Sequence, residues 1–314
     1  MIDVHVHLMA LPTPTNGCRM SRRMRRSPAV LGVALRDGLP LSDPETTNRR
    51  YVEQLLRRLG SSELVSGAVV LAMDGVYDGA GELDEGRTDV LISNDYVFQV
   101  AAAHPQLLPG VSVHPGRKDA LDELERCFAH GAALVKWLPN AQAFDPADPR
   151  WRGFYRALAR LGLPLLSHIG FEFSLIGSDQ SVGNPERLLP ALEEGVTVIA
   201  AHGCSSGVVY ERHFGAMLDL ARRFPNLYVD TSALSLPNRV LALLMLKRHP
   251  ELFDRLLFGT DYPLPSFSYP ALLAFSPRGF FAAVAARSSF DRMVRVLEAV
   301  GVRPGADFDS IRHR

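Results

Sequence analysis

Lysine is scarce in this chain: three of its 34 basic residues are lysine (Lys118, Lys136, Lys247) and the other 31 are arginine. The simplest source of that skew is coding bias, but it makes each lysine worth inspecting. Cysteine is scarce as well. Cys18, Cys127 and Cys204 are odd in number and far apart. With no Cys-x-x-Cys pair, neither a disulfide framework nor a thiolate zinc site is indicated. Net charge is absent, because 34 acidic residues balance the 34 basic ones. That balance argues against nucleic acid or an anionic membrane as the main partner, since both recruit basic surfaces. No apolar run reaches the ~18 residues that a membrane helix needs. The opening Met-Ile-Asp-Val-His-Val-His also lacks the basic start and apolar stretch of a leader. The expectation is a cytoplasmic protein acting on a small molecule, with a homo-oligomer unsurprising.

The chain does have enough apolar residues, 47% of 314, to bury a substantial core. Short apolar, β-branched runs recur at Ile2 to His7, Val65 to Asp74, Leu108 to His114, Ala133 to Leu138, Pro164 to His168, Val196 to His202, Leu227 to Asp230 and Arg255 to Gly259. Helical stretches separate them. Asp119 to His130 places Leu121, Leu124, Cys127 and Phe128 on one face, and Asp291 to Val300 does the same with Met293, Val294 and Leu297. Continuous apolar strands alternating with helices predict a parallel sheet covered on its outer side. Eight such units fit an α/β fold of the (β/α)₈ TIM-barrel type in a single domain over residues 1–314. No internal repeat or low-complexity tract interrupts it.

The first connection breaks the rhythm. Residues 8–47 are rich in Pro, Gly and Arg, with Arg19, Arg22, Arg23, Arg25 and Arg26 clustered. Insertions of this length are usually lids or binding elements, and after a first barrel strand this one would leave the C-terminal face. Two readings stand. One is a surface flap, and the other is a cover whose arginines meet an anionic substrate. The acidic stretch from Gly75 to Asp89 would lie on the same face and pair with those arginines.

Polar residues end the apolar strands in order. His5 and His7, two apart, point to one side of their strand, a natural pair of ligands for zinc or a similar divalent ion. His168 closes Leu-Pro-Leu-Leu-Ser-His, His202 closes Val-Thr-Val-Ile-Ala-Ala-His, and Asp261 follows Leu-Leu-Phe-Gly-Thr. Burying each without a partner would be costly, and a shared metal would satisfy all of them. Lys136, inside the fourth strand, points inward. It is either neutral enough to add carbon dioxide and bridge two metals as a carbamate, or it is paired with a strand-end carboxylate such as Asp74 or Asp230. His114, beside Pro115, reads as a packing residue more readily than a ligand. Cys204 reads as a small core residue.

These phrases together resemble the metal-dependent amidohydrolase superfamily, and most closely its amidohydrolase-related branch. The likeness rests on Ile-Asp-Val-His-Val-His, Ser-Val-His-Pro, Leu-Pro-Leu-Leu-Ser-His-Ile-Gly, Val-Ile-Ala-Ala-His-Gly and Leu-Phe-Gly-Thr-Asp-Tyr-Pro. It spans Ile2 to about Val300. The resemblance implies a barrel with His5, His7, His168 and Asp261 around a divalent metal, zinc first and manganese as the alternative. One-metal members use the sixth-strand histidine, here His202, in catalysis. Two-metal members bridge their ions with a carboxylated fourth-strand lysine, here Lys136, and bind the second with His202. The phrase Val-Lys-Trp-Leu-Pro-Asn is similar to the lysine stretch of dihydroorotases, whereas the insertion and the Gly-Thr-Asp-Tyr-Pro ending go with the amidohydrolase-related branch.

The expected activity is hydrolysis of an amide, lactone or ester-like carbonyl by metal-activated water, with Asp261 as general base and acid. Glu172 and Asn140 would orient substrate or cap loops. The alternatives are a one-metal decarboxylase with His202 catalytic and, last, a non-catalytic metal-stabilised binding protein. A purely structural zinc site would be closed by four ligands, and more than four are offered here.

Overall fold

Eight parallel strands form one sheet in chain order: β1 (Ile2–His7), β2 (Gly67–Leu71), β3 (Leu107–Val111), β4 (Leu134–Trp137), β5 (Leu165–Ser167), β6 (Val198–Ala200), β7 (Leu227–Asp230) and β8 (Leu256–Leu257). The computed structural model describes residues 1–175, 179–208 and 211–312. The sheet curls until its edges meet. Val4 N donates to Phe258 O at 3.0 Å, Asp261 N to His5 O at 3.0 Å and His7 N to Tyr262 O at 2.7 Å. The protein is a (β/α)₈ TIM barrel. Every residue of β2 and of β4 through β8 is buried, which is why these strands read as unbroken apolar runs rather than alternating ones.

Two apolar layers hold the barrel. Val6, Val70, Val135 and Trp137 face the outer helices and meet Leu124, Leu158 and Met293. Inside, Val69, Leu71, Leu134, Leu166, Ile199 and Leu257 form a second cluster with Phe308 and Ile311 of the C-terminal turn. Val4 joins this inner cluster although His5 also points inward. The pairing of β1 with β2 shifts register between Asp3 and Val6. Such a bulge re-aims the side chains that follow it.

The strands stop earlier than the apolar runs suggest. β5 ends at Ser167, and His202 lies in a short 3₁₀ turn after β6. His202 and Asp261 have φ of +60° and +66°, a left-handed conformation that cannot continue a strand. The amphipathic face expected from Asp119 to His130 needs correction. In the helix Ala120–Ala129 the buried positions are Ala120, Leu124 and Cys127, whereas Leu121 and Phe128 are about half exposed. Met293, Val294 and Leu297 are buried as expected.

The stretch 8–47, expected as a loop, carries helices as well as loop. Ser27 caps a helix over Pro28–Asp37 and Asp43 caps one over Pro44–Gly60, each with proline in the first turn. Proline there gives up an amide that would have no helical partner in any case. A two-residue ribbon pairs Arg19–Met20 with Val90–Leu91.

Candidate metal centre and its cavity

At the C-terminal ends of the strands, three donor atoms converge. His5 Nε2 lies 3.2 Å from His7 Nε2. Asp261 Oδ1 is 3.4 Å from the first and 3.3 Å from the second. Ligands about 2.0–2.1 Å from one tetrahedral zinc are spaced by roughly 3.3 Å, so this triangle suits such an ion. The imidazoles are prepared for it. Asp230 Oδ2 accepts from His5 Nδ1 at 2.7 Å, which puts the ring proton on Nδ1 and the lone pair on Nε2. Asp230 Oδ1 accepts the amide of His202 at 2.8 Å and the Ser232 hydroxyl at 2.5 Å.

A relay runs outward from the same serine. With its hydroxyl proton given to Asp230, Ser232 Oγ accepts from His202 Nδ1 at 2.8 Å. His202 Nε2 then accepts from His168 Nδ1 at 3.0 Å. His168 Nε2 is left as a buried acceptor with no hydrogen-bond partner among the described residues. A buried atom in that state wants a metal or a substrate donor. Burial, followed by the nearby Arg239 charge, pushes both His168 and His202 well below the ordinary imidazole range. They are therefore neutral, the form that ligates and accepts. Burial would raise the Asp261 carboxyl, but His5, His7 and Lys136 outweigh it and hold it below the usual carboxylate range.

Among the described residues, two groups of three metal-type donors lie within 4.8 Å of one another: His5, His7 and Asp261, and His5, His202 and Asp230. In the second, Asp230 is already occupied by hydrogen bonds, so the first is the better ligand set. His168 belongs to neither and pairs with His202 instead. Lys136 Nζ is buried 3.0 Å from His5 Nε2, and burial lowers its ammonium to about 8. Its expected pairing with Asp74 is corrected. Asp74 is taken by Arg117 Nη1 at 3.3 Å and the Tyr77 hydroxyl at 2.8 Å. No carboxylate oxygen of a described residue lies within ion-pair reach of Lys136, Asp230 included.

Glu172 both caps its loop, accepting the Leu175 amide at 2.9 Å, and brings Oε2 to 3.6 Å from His168 Nδ1. Asn140 donates to Gln180 at 2.9 Å while its oxygen is unpartnered among the described residues. His114 is structural: Nδ1 accepts the Gly116 amide and Nε2 faces the Gln142 carbonyl. Cys204 is a buried free thiol that burial pushes well above its ordinary value, which removes it as a nucleophile.

The centre forms the floor of a cavity lined by His7, His168, His202 and Asp261. The insertion helps to roof it, through Met20, Met24 and Val30. None of its arginines lines the cavity. Arg19 pairs with Glu85 at 2.9 Å and Arg23 with Asp89 at 2.5 Å, and Arg25 donates to the Leu41 carbonyl. Pairing with the 75–89 segment is thus the arrangement found. Two contributors escaped the sequence reading. Asp230 was visible as a strand end but not as the partner of His5. Arg239, from a connecting segment, bonds the carbonyls of Ile169, Ser205 and Phe171 and pins the loops after β5 and β6.

The amidohydrolase family model matches residues 2–287. The chain belongs to the amidohydrolase family. That family is one of enzymes and is typically metal-dependent, in keeping with the His and Asp group above, and it points to a small-molecule substrate. No curated protein matches the chain in sequence. Solved structures do. A TIM-barrel protein of Bordetella bronchiseptica superposes with TM-score 0.64 at 19% identity, covering 100% of both chains. A putative 2-pyrone-4,6-dicarboxylic acid hydrolase of Pseudomonas putida gives 0.57 at 15%, covering 99% of this chain and 97% of the other. The 5-carboxyvanillate decarboxylase of Sphingomonas paucimobilis gives 0.54 at 15%, covering 96% and 98%. At such identities the likeness concerns the fold, and this fold serves both hydrolases and decarboxylases. No helix among the described residues is long and apolar enough to cross a membrane.

Proposed function

We propose that this amidohydrolase is a metal-dependent hydrolase of an amide, lactone or ester-like carbonyl, with the whole chain as one barrel unit and residues 8–47 as its cover. The supporting observation is the triangle of His5 Nε2, His7 Nε2 and Asp261 Oδ1 opening into a cavity beside a neutral His168–His202 pair. Those three residues would hold the ion, zinc or manganese, with His168 as the added ligand of the set. When bound, such an ion supplies Lewis acidity and lowers the pKa of a coordinated water towards ~7.

The chain's own residues supply the rest. Asp261, ionised and lining the cavity, accepts a proton at Oδ2 and returns it to the leaving group. His202, steadied from behind by Ser232 and Asp230, accepts the His168 Nδ1 proton at its Nε2 and so holds His168 in the tautomer whose free Nε2 lone pair faces the reacting centre. The buried relay and the apolar walls keep bulk water away from these hydrogen bonds, where each is worth more than in solvent. Lys136, partly neutral at pH 8, either stays an amine beside His5 or takes up carbon dioxide to bridge a second ion.

A second reading is a one-metal decarboxylase with His202 catalytic. It is favoured by there being, among the described residues, one three-donor group, His5, His7 and Asp261, whose carboxylate is not taken up by a backbone amide and Ser232. One experiment separates the two. Purified protein is assayed for zinc and manganese content, then for acid or carbon dioxide released from lactones, esters and aryl carboxylic acids. Hydrolysis with bound metal supports the proposal. Carbon dioxide release with one ion per chain supports the second reading. A protein that retains no divalent metal, and whose His168→Ala variant loses no activity, overturns both.

A further inference from the structure

The cavity over the metal centre is divided by chemistry. Its polar residues gather on the floor: His7, His168, His202, Glu172 and Asp261, with Ser174 beside them. Its walls are aliphatic and thioether. Four methionines line it, Met9, Met20 and Met24 from residues 8–47 and Met73 from after β2, and Val30 and Val33 add branched side chains. No lysine or arginine is among the described lining residues. The buried Arg239 guanidinium is occupied by three backbone carbonyls, and that of Arg36 by Asp37 and the Pro263 carbonyl. In the arginine cluster of the insertion, Arg19 is held by Glu85, Arg23 by Asp89 and Arg25 by the Leu41 carbonyl.

A carboxylate or phosphate carried away from the floor would therefore be desolvated against apolar walls without a cation to meet it, which is expensive. An alkyl or aryl body would instead lose water against surface that is already apolar. Methionine is unbranched and polarizable, so it adapts to such a body and makes favourable contacts with aromatic rings.

We propose that the enzyme is selective for substrates with a hydrophobic acyl or aryl body and a single polar reacting group, and that Met20 and Met24 of the insertion set this selectivity. The inference rests on the reading of the floor as the reacting centre, and it names the class of molecule that the centre receives. It also assigns the insertion a role other than meeting an anion with its arginines.

Product-like acids test it without requiring turnover. The zinc-loaded protein is titrated calorimetrically with propanoate, butanoate, hexanoate, octanoate and 3-phenylpropanoate, and with octanedioate as the doubly charged counterpart. Affinity is expected to rise roughly fourfold per added methylene from propanoate to hexanoate, the transfer preference of a buried CH₂. Octanedioate is expected to bind at least about tenfold more weakly than octanoate. Met20→Arg, at a partly exposed position, should narrow or reverse that last preference. Met20→Ala should flatten the chain-length trend, and circular dichroism would verify that both variants fold. Equal or tighter binding of octanedioate by the parent protein, or affinity independent of chain length, overturns the proposal. The two readings can fail separately. Chain-length-dependent binding without hydrolysis of any ester or lactone would leave this inference standing and remove the hydrolase. Hydrolysis that favours doubly charged substrates would do the reverse.

Discussion

On the inner face of the barrel, residues two apart along one strand occupy opposite chemistries. Leu134 lies in the apolar inner cluster and Lys136 in the polar layer above it. Leu166 and His168 repeat the pair on β5 and the residue that follows it, and Tyr228 and Asp230 repeat it on β7. The lower layer is held by apolar packing of its side chains. The upper layer buries a lysine, three histidines and two aspartates in a space that the lower one seals, and holds His202 and Asp261 at positive φ. Non-glycine residues in that region cost roughly 1–3 kcal/mol each. The period of two lets one strand carry both: stability toward its N-terminal end, strain and chemistry toward its C-terminal end.

The largest expected effect falls on the upper layer. Asp261→Asn should lower turnover by about 10³-fold, since an amide cannot take the proton, while the melting temperature changes little. Steady-state kinetics beside calorimetry would check this, and a variant retaining more than a tenth of the activity would remove Asp261 from its proposed role. On β4 the comparison becomes internal. Leu134→Ala should cost ~2–5 kcal/mol of stability in urea unfolding, as a fully buried leucine leaves a cavity, with activity per folded molecule kept. Lys136→Met should do the opposite. It removes a buried cation with no ion-pair partner among the described residues, so stability is unchanged or higher while activity falls. If both variants lost stability equally, the division into layers would not hold.

Much of the upper layer is legible in the sequence itself. The strand-end histidines and Asp261 stand out because an apolar run that stops on a polar residue is conspicuous, and Lys136 because its spacing aims it inward. Asp230 is visible too, at the end of Leu-Tyr-Val-Asp. Its task is not, because a hydrogen bond to a histidine 225 positions away depends on barrel closure. Arg239 gives no signal, since its partners are backbone carbonyls that sequence does not distinguish. The helices in 8–47 are hidden by composition, although Ser27-Pro28 and Asp43-Pro44 are helix-start signals. Met20 and Met24 are four apart among five arginines. Only the fold reveals that the methionines face the cavity while Arg19 and Arg23 turn towards the acidic segment.

Smaller effects probe the supports of the upper layer. Asp230→Asn keeps the shape but weakens the acceptor that holds the His5 tautomer, so zinc affinity should fall 10- to 100-fold. Competition with a chromophoric chelator measures this, and unchanged affinity would mean that His5 is oriented by packing alone. The smallest effect is expected at the arginine cluster. Arg23 is 67% exposed and its partner Asp89 lies on the neighbouring loop. An exposed pair of this kind contributes ~0–1 kcal/mol, and Arg23 does not line the cavity. Arg23→Ala should therefore shift the unfolding midpoint barely, leave KM within about twofold, and lose what effect it has at high salt. A KM that rose tenfold for a charged substrate would place this arginine at the site after all. The cover would then resemble the polar layer, reading charge, and not the apolar one that its methionines extend.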